Sequence, residues 1–440
     1  MQNRNLMFLT MSRIVDIECR GIYTDLLRKF RNEGWNVYVV TPHERSLGMP
    51  TELKELDGVH ILGVKTLNLQ KTSVIEKGTG QVLVEDQYKR AIKRHLAGMA
   101  FDLILYSTPP ITFPKVIAYL KRQNPQARTY LLLKDIFPQN AVDIGMMPDS
   151  VHGEWFTVHG WVARGKLLLY RYFRKKEKKL YALSDYIGCM SPANVEYVIR
   201  HNPEVDPSKV ELAPNSLELS HTETAEMPKG LTERTYIRRK YKLPEDRPIF
   251  IYGGNFGKPQ GMDYLIKCLD ANKRRTDCHF LAVGSGTEYA KLEAWYKFHT
   301  DSTGSIDVDL KANHSNQMNV TVMKGLPKDD YDMLARSCDV GLIFLDHRFT
   351  IPNYPSRLLS YLENKMPVLC ATDVNTDMGR IAEENGFGFW CESVRPEDFT
   401  ALVDKILQSD YKAMGERGYD FLKKHYLVEH TYNAIVKHLV

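Results

Sequence analysis

Short hydrophobic runs alternate with amphipathic segments from the first residues of the chain. Leu6–Leu9 has the composition of a buried strand, and the apolar residues at Ile22, Leu26 and Phe30 have the four-residue spacing of a helix. Further strand-like runs follow at Val37–Val40, His60–Val64, Leu103–Tyr106, Arg128–Leu133, Ile187–Met190 and Val210–Ala213. Strands that alternate with helices predict a parallel sheet covered by helices on both faces.

A polar segment then interrupts this pattern. Ser220–Asp246 combines Thr, Glu, Pro and Gly residues with a basic stretch, which is typical of a connection between domains. A second alternating series follows, with strand-like runs at Ile249–Tyr252, Phe280–Val283, Val320–Met323, Val340–Phe344, Val368–Cys370 and Phe387–Cys391. The fold class is therefore predicted to be α/β, with two doubly wound, Rossmann-like domains.

The domain boundaries follow from the same pattern. We expect a first domain at 1–220, a linker at 221–246, a second domain at 247–415 and a C-terminal helix at 416–440 that returns to the first domain. Ligands of doubly wound sheets bind at the carboxyl ends of the strands. The expected site is thus a central cleft that the two domains face.

Composition adds mainly exclusions. The 440 residues are 43 % hydrophobic and 26 % charged, and a net charge of +5 is too small to imply nucleic acid. The seven cysteines are scattered without metal-ligand spacing, which suits reduced thiols in the cytosol. Asp307 and Asp309 form a D-x-D sequence that we interpret as a solvated loop. We expect no signal peptide, no membrane span, no cofactor and no metal.

A glycine-rich turn opens the second domain. The strand at Ile249–Tyr252 runs into glycines at positions 253, 254, 257 and 261, and a helix follows. Glycines allow a ligand to approach the backbone and leave N–H groups free for an anion. The spacing matches neither a dinucleotide fingerprint nor a P-loop, so the turn is a weak signal when taken alone.

A second segment with anion-binding character is Ile351–Asp373. Proline and asparagine residues break the backbone there, and a helix pattern then begins near Ser356. A helix start offers free N–H groups with a partial positive charge, and Arg357 adds a planar cation in the first turn. This pattern predicts a phosphate or diphosphate site. The alternative is an ordinary helix capped by Ser356 or Asn353.

Other strand ends are weaker candidates. Gly284 and Leu326 follow two strands of the second domain, where backbone groups could hold a nucleotide base or simply form turns. Asp135 follows a hydrophobic strand of the first domain. It either orients an acceptor hydroxyl, contacts a donor sugar or caps a turn.

One basic stretch also stands out. Trp161–Tyr181 mixes Lys and Arg with Trp, Leu, Tyr and Phe at helical spacing, which suits an anionic membrane surface. The cations assigned to this role are Arg171, Arg174, Lys175 and Lys178. The alternatives are nucleic acid, for which no binding motif is present, and a packed helix with a solvated basic face.

Several short motifs occur in a recognisable order along nearly the whole chain. They are Arg20-Gly21, Asp135-Ile136-Phe137-Pro138, Met190-Ser191-Pro192 with Asn194, Pro214-Asn215-Ser216, Gly253-Gly254-Asn255 with Gly257, Gln260-Gly261, Pro355-Ser356-Arg357 and Pro367-Val368. With these residues the chain resembles the family-4 retaining glycosyltransferases, which have the GT-B fold. More narrowly it resembles the bacterial branch that builds capsule, O-antigen and related surface polysaccharides.

The resemblance implies a metal-independent hexosyltransferase. Its donor is a nucleotide sugar, expected to be UDP-linked and held by the second domain. Its acceptor is a polyprenyl-diphosphate-linked saccharide held by the first domain at the cytoplasmic face of the inner membrane, with the enzyme bound peripherally. Arg357 and Asp135 are the implied catalytic residues, and Arg20 and Gly21 the acceptor-binding ones. The implied donor-binding residues are Gly254, Asn255, Gly257, Gln260, Gly284, Leu326, Ser356, Leu358 and Ser360.

The chain departs from the family at two places. Many members carry two glutamates eight positions apart, which here fall on Pro352 and Ser360, and many carry Arg and Lys where this chain has Asn255 and Gln260. Donor contacts must therefore differ in detail. Two alternatives stay open, a nucleotide-sugar epimerase of the same fold and a non-catalytic GT-B scaffold in a polysaccharide assembly complex.

Overall fold

A computed structural model describes residues 4–69, 74–148, 158–219, 231–301 and 318–439. The chain divides into two compact units. The first contains Met1–Glu218 and Tyr426–Val440, and the second contains Leu219–His425. Asp307 and Asp309 lie outside the described residues, as does the first part of the predicted linker, at 221–230.

The first unit is built on an eight-stranded sheet. Its strands are β1 (Asn5–Leu9), β2 (Asn36–Glu44), β3 (Glu52–Leu56), β4 (Val59–Thr66), β5 (Leu103–Ser107), β6 (Arg128–Leu133), β7 (Tyr186–Cys189) and β8 (Val210–Leu212). Their order is β3-β4-β2-β1-β5-β6-β7-β8, and only the β3–β4 pair is antiparallel. The central strands are apolar on both faces because helices cover both sides, whereas the charged edge strand β3 is largely exposed.

Six helices of this unit precede the second unit in the chain. They are α1 (Thr24–Asn32), α2 (Val74–His95), α3 (Pro114–Gln123), α4 (Gln139–Asp143), α5 (Val158–Leu183) and α6 (Pro192–His201). The core combines the inner faces of these helices with the sheet, as in the contact of Phe30 on α1 with Trp35, whose ring centroids are 5.4 Å apart. The predicted parallel α/β architecture is confirmed for this unit.

The second unit has a six-stranded, wholly parallel sheet. Its strands are β9 (Ile249–Asn255), β10 (His279–Ser285), β11 (Val320–Lys324), β12 (Val340–Phe344), β13 (Val368–Thr372) and β14 (Gly388–Glu392). Their order is β11-β10-β9-β12-β13-β14, the arrangement of a Rossmann sheet. The direction of winding reverses between β9 and β12. The carboxyl ends of these two strands are therefore where a ligand is expected.

Eight helices cover this second sheet. They are α7 (Glu233–Lys240), α8 (Met262–Asn272), α9 (Tyr289–Asp301), α10 (Lys328–Arg336), α11 (Arg357–Glu363), α12 (Met378–Glu384), α13 (Pro396–Leu407) and α14 (Tyr411–His425). The core contains many aromatic residues. Among them, the Phe399 ring contacts the rings of Phe280 and Phe344. The prediction of a second doubly wound unit is thus confirmed.

Helix α7 differs from the predicted linker at 221–246. Arg238 on this helix is buried and forms an ion pair of 2.6 Å with buried Asp339, which precedes β12. Asp339 also pairs with Arg234 at 2.6 Å and accepts the Ile249 N–H at 2.8 Å. The segment is polar in sequence, but its Arg234 and Arg238 side chains are neutralised by Asp339, beside the start of β9 and β12. It is part of the second unit.

The chain end also differs from the predicted single helix at 416–440. Helix α14 belongs to the second unit, and a separate helix, α15 (Val428–Val436), belongs to the first. Tyr432 on α15 stacks edge-on against Phe30 at 4.8 Å, and its hydroxyl lies 3.3 Å from the Trp35 indole nitrogen. The chain crosses back between His425 and Tyr426.

Replacing Arg238 with alanine is expected to destabilise the second unit. The change leaves Asp339 with only the more exposed of its two cations, Arg234, and breaking one side of a buried ion pair costs about 3–5 kcal/mol. Urea unfolding, with hydrogen exchange at the β9 amides, measures the loss. Arg239→Ala is the matched control because Arg239 pairs with Glu245 on the surface. Equal stability of both variants would contradict the structural role of Arg238.

Candidate functional site

The glycine-rich turn at the end of β9 is held closely against its neighbours. Gly254 has a φ of 114° and is exposed together with Asn255. A Cβ atom at Gly284, near the end of β10, would overlap the Gly254 carbonyl oxygen, so only glycine allows the two strands to approach in this way. The predicted role of Gly284 as a donor contact therefore has a packing alternative.

Gln260 closes this turn from the other side. Its side-chain oxygen accepts hydrogen bonds from the Asn255 amide at 3.0 Å and from the Gly257 N–H at 3.1 Å. Gly257 is buried, whereas Asn255 remains exposed. Gln260 thus shapes the loop, and the exposed backbone of Gly254 and Asn255 is its accessible part.

Arg357 lies directly beside this loop. Its Cζ atom is 4.4 Å from the ring centroid of Tyr252 on β9, and its Nη2 atom would lie 3.9 Å from a Cβ atom on Gly254. The Nη1 atom is buried and has no hydrogen-bond partner. Within the described ranges no carboxylate forms an ion pair with Arg357. The switch point of the sheet therefore carries a half-buried cation whose inner guanidinium nitrogen has no partner.

Two more tyrosines fix the backbone around this cation. The Tyr361 hydroxyl, one turn after Arg357 on α11, accepts the Gly253 N–H at 3.2 Å and lies 3.1 Å from the Ile251 carbonyl and 3.2 Å from that of Leu342. Tyr331 on α10 packs so closely that a Cβ atom on Gly253 would overlap its hydroxyl. The sequence analysis did not identify this group of tyrosines. A tyrosine in place of an aliphatic residue within β9 was the available signal.

The remaining predicted donor residues are spread around α11 and β11. Ser356 is exposed and makes no side-chain capping bond, so it does not cap the helix, and the Asn353 side-chain nitrogen is buried without a partner. Ser360 is half-buried, and Leu326 is half-buried after the outer strand β11. Because α11 has only seven residues, the cation of Arg357 carries the argument rather than the helix dipole.

Leu358 is a correction to the predicted donor set. Its side chain is fully buried, and its N–H group donates to the Pro355 carbonyl at 3.3 Å. The residue after Arg357 faces the core because the helix turns by about 100° per residue. A donor contact through the Leu358 side chain is therefore excluded.

Asp135 follows β6 at the carboxyl edge of the first sheet. Its side chain accepts a hydrogen bond of 2.7 Å from the Asn140 amide, and its N–H donates to the Thr108 hydroxyl at 3.2 Å. Burial raises the pKa of this carboxyl to about 6. Neighbouring Lys134 does not neutralise it but donates to the Ala213 carbonyl at 3.1 Å, and burial lowers the pKa of Lys134 to about 7. Such shifted groups at a sheet edge are typical of functional sites.

Arg20 and Gly21 lie just before the start of α1. Arg20 donates to the Glu218 carbonyl at 3.0 Å, and the Gly21 N–H donates to Asp25 at 2.9 Å. Asp25 in turn pairs with Arg28 at 2.6 Å. These contacts order the turn before α1, and the acceptor role of Arg20 and Gly21 stays a prediction.

The basic helix α5 divides into two parts. Its second half packs on the first unit through a buried stripe of Phe173, Glu177, Leu180 and Tyr181. Arg174 pairs with buried Glu177, and its guanidinium also donates to the Asn202 side chain at 3.1 Å, so these contacts occupy Arg174 within the first unit and its membrane role stays a prediction. Lys178 pairs with Glu204 at 3.1 Å on the surface.

Most positions between 165 and 175 on the same helix are exposed instead. Leu168 is 66 % exposed, and Leu169 and Tyr172 are also exposed. Lys166, Arg171 and Lys175 are exposed on the same stretch. The side chains at 161–163 lie outside the described ones. A short apolar and basic surface therefore remains.

Two general properties bear on the site. Among the residues that the structure describes, no group of three or more His, Cys, Asp or Glu side chains could hold a metal ion. In the same part of the chain, none of the helices combines the length and the apolar character needed to span a bilayer.

Comparison with known proteins gives two curated relatives, although no protein-family model matches the chain. The chain is 20 % identical over 363 residues to WbjE of Pseudomonas aeruginosa, named a probable glycosyltransferase, with 81 % of this chain and 78 % of WbjE covered. It is 25 % identical over 176 residues to WcaI of Escherichia coli K12, named a colanic acid biosynthesis glycosyl transferase, with 39 % and 38 % covered.

Solved structures show the same architecture. Sucrose-phosphate synthase of Thermosynechococcus elongatus gives a TM-score of 0.69 at 14 % identity, covering 99 % of this chain and 98 % of its own. WaaG, a glycosyltransferase involved in lipopolysaccharide biosynthesis, gives 0.59 at 14 % identity, covering 98 % and 99 %. HepE of Anabaena in complex with UDP gives 0.63 at 12 % identity, covering 99 % of both chains. The protein is a GT-B glycosyltransferase.

The predicted fold and enzyme class are thereby confirmed, and membership of family 4 is consistent with the two curated relatives. Within this glycosyltransferase the second unit brings together Gly254, Asn255, Gln260 and Arg357 of the predicted site. Asp135, Arg20 and Gly21 lie in the first unit.

Asp135→Asn is expected to stabilise the first unit in a pH-dependent way. The folded pKa of about 6 lies above the ordinary value of 3.8, so ionisation of Asp135 opposes folding as pH rises from 4 through 6. The gain in melting temperature of the variant should grow across that window and level off above it. Thermal unfolding at a series of pH values measures this.

Asp185→Asn is the matched control with the opposite sign. Burial acts against the charged form of Asp185, but hydrogen bonds from Lys121 and Thr129 outweigh it and lower the pKa of that carboxyl. Its replacement should therefore destabilise the first unit above pH 4. A pH-independent effect of Asp135→Asn would contradict the assigned ionisation.

Proposed function

We propose that the enzyme transfers a sugar from a UDP-linked donor to a lipid-linked saccharide, with retention of anomeric configuration, in the synthesis of a bacterial surface polysaccharide. The names of WcaI and WaaG support the polysaccharide class, and the complexes of HepE with UDP and with UDP-glucose support the donor class. The single observation that carries the proposal is the uncompensated guanidinium of Arg357 beside the glycine-rich turn.

The chemistry of that position favours a diphosphate. A buried arginine normally has a carboxylate partner, because an isolated charge in a low-dielectric environment is unfavourable. Arg357 instead faces exposed backbone at Gly254 and Asn255, at the switch point of a Rossmann sheet. A planar guanidinium with a free N–H edge and adjacent backbone suits two linked phosphates.

The proposed reaction uses this cation on the leaving group. As the bond between the anomeric carbon and the diphosphate oxygen breaks, negative charge builds on the diphosphate, and Arg357 stabilises it. The acceptor hydroxyl forms the new glycosidic bond on the same face, and its proton passes to the departing diphosphate oxygen. Asp135, ionised above pH 6, would accept a hydrogen bond from the acceptor hydroxyl. We propose that no metal takes part.

Because the two family glutamates are absent, the epimerase and scaffold functions remain alternatives. Pro352 and Ser360 stand at the positions of the two family glutamates, so the donor ribose or sugar has to be held by other groups. A scaffold would bind no donor productively, and an epimerase would release a changed nucleotide sugar without an acceptor. Assay of donor turnover with and without acceptor separates the three functions.

Arg357→Ala is expected to lower the transfer rate at saturating donor by roughly 10²–10³-fold, the usual effect of losing one group that stabilises developing charge. Arg357→Lys should restore only part of this rate because the planar fork is lost. Arg380→Ala, on exposed helix α12, is the control and should transfer at the wild-type rate. A wild-type rate in Arg357→Ala would remove Arg357 from the mechanism.

Binding provides an independent readout of the same site. Wild-type protein should bind UDP much more tightly than uridine, and Arg357→Ala should reduce that preference. Isothermal titration with UDP, UMP and uridine measures the contribution of each phosphate. Equal affinity for UDP and uridine would contradict a diphosphate site.

We also propose peripheral membrane binding through the exposed stretch of α5 at positions 165–175. Exposed Leu168 and Tyr172 would enter the interface, and the cations beside them would face anionic headgroups. Each Lys or Arg at such a surface contributes about 1 kcal/mol, which salt screens.

The combined variant Lys166→Gln, Arg171→Gln and Lys175→Gln should therefore leave anionic vesicles at low salt, where the wild type stays bound. Vesicle sedimentation measures this. The control removes three cations from the second unit, at Arg380, Lys412 and Lys424, and should bind as the wild type does. Equal release of both variants, or no wild-type binding, would count against docking by α5.

A further inference from the structure

Arg357 is held by an aromatic ring rather than by an acid. Its guanidinium lies over the face of Tyr252, and that ring is only 1 % exposed. Arg238, which is buried in the same unit, is different because it pairs with Asp339 at 2.6 Å. The negative face of an aromatic ring orients a cation without cancelling its charge. A carboxylate in the same place would compete with an incoming diphosphate.

The same tyrosine also contacts the glycine-rich turn. Its hydroxyl donates to the Asn255 carbonyl at 2.9 Å, at the exposed end of β9. The side chain thus reaches two parts of the proposed anion site with two different groups, the ring face and the hydroxyl. The adjacent N–H of Gly253 is fixed separately by Tyr361 at 3.2 Å.

We propose that Tyr252 is a positioning residue for sugar transfer, whose ring aligns the Arg357 guanidinium and whose hydroxyl sets the backbone of the glycine-rich turn. The inference rests on the proposed diphosphate site and assigns a separate kinetic effect to each group of Tyr252. The ring acts on the cation that stabilises the leaving group and should affect kcat. The hydroxyl acts on the loop that holds the donor and should affect the donor KM.

A purely structural role for Tyr252 is the competing explanation. The ring also contacts Phe256 at 5.3 Å and Phe344 at 5.7 Å between centroids, as any core aromatic residue does. A core role would lower stability without separating kcat from KM. It would also act equally whether or not Arg357 is present.

The experiment measures kcat, donor KM and melting temperature of full-length variants. Tyr252→Phe keeps the ring, so donor KM should rise roughly 3–10-fold, as for loss of one hydrogen bond, while kcat stays at the wild-type value. Tyr252→Leu should in addition lower kcat about tenfold, the scale of a partly desolvated cation–π contact. Tyr264→Phe is the control, because that buried tyrosine packs on the same Phe344 ring as Tyr252 but its hydroxyl donates to the Arg395 carbonyl at 3.1 Å instead of to the glycine-rich turn.

A double-mutant cycle decides between positioning and packing. If Tyr252 acts through Arg357, Tyr252→Leu should not lower kcat further in the Arg357→Ala background. An equal fall in both backgrounds, or an unchanged donor KM in Tyr252→Phe, would overturn the inference. If Tyr252→Leu does not fold, the KM of Tyr252→Phe alone decides. Failure of the underlying diphosphate site is distinguishable, since Arg357→Ala would then itself transfer at the wild-type rate.

Discussion

The Arg357 guanidinium lies against Tyr252 at the switch point of the second sheet, and no carboxylate in the described residues compensates its charge. Keeping a cation in that state is unfavourable unless the surrounding structure leaves it no alternative position. The backbone supplies this constraint. Glycines at 253, 284 and 341 let rings and strands approach more closely than any side chain would allow, and Tyr361 ties α11 to the ends of β9 and β12.

Other charged residues inside the protein are neutralised by a partner of opposite charge. Three such ion pairs are Asp25 with Arg28, Lys176 with Glu85, and Asp339 with Arg238. Arg357, Lys134 and Asp135 lack such neutralisation, and all three lie at carboxyl edges of parallel strands. The contrast separates groups that hold the fold together from groups available for a ligand or a proton.

Hydrophobic runs predicted nearly all of the strands because a parallel sheet buries both faces of each strand. Glycine spacing and Arg357 likewise pointed to the anion site. The sequence could not show the role of a charged residue when that role depends on a partner that lies elsewhere in the chain or is buried. Arg238 looked like part of a linker because Asp339 lies about a hundred residues away, and Arg174 looked like a surface cation because the burial of Glu177 cannot be read from composition. Tyr252 was missed because a core tyrosine and a positioning tyrosine have the same local pattern.

The return of the chain to the first unit affects the order in which the protein can be assembled. The second unit is continuous from Leu219 to His425, whereas the first needs α15, which is synthesised after the whole second unit. Until then the apolar surface of α1 around Phe30 and Trp35 lacks the covering ring of Tyr432. The second unit can complete its core during synthesis, while the first must wait in an open state that chaperones could recognise.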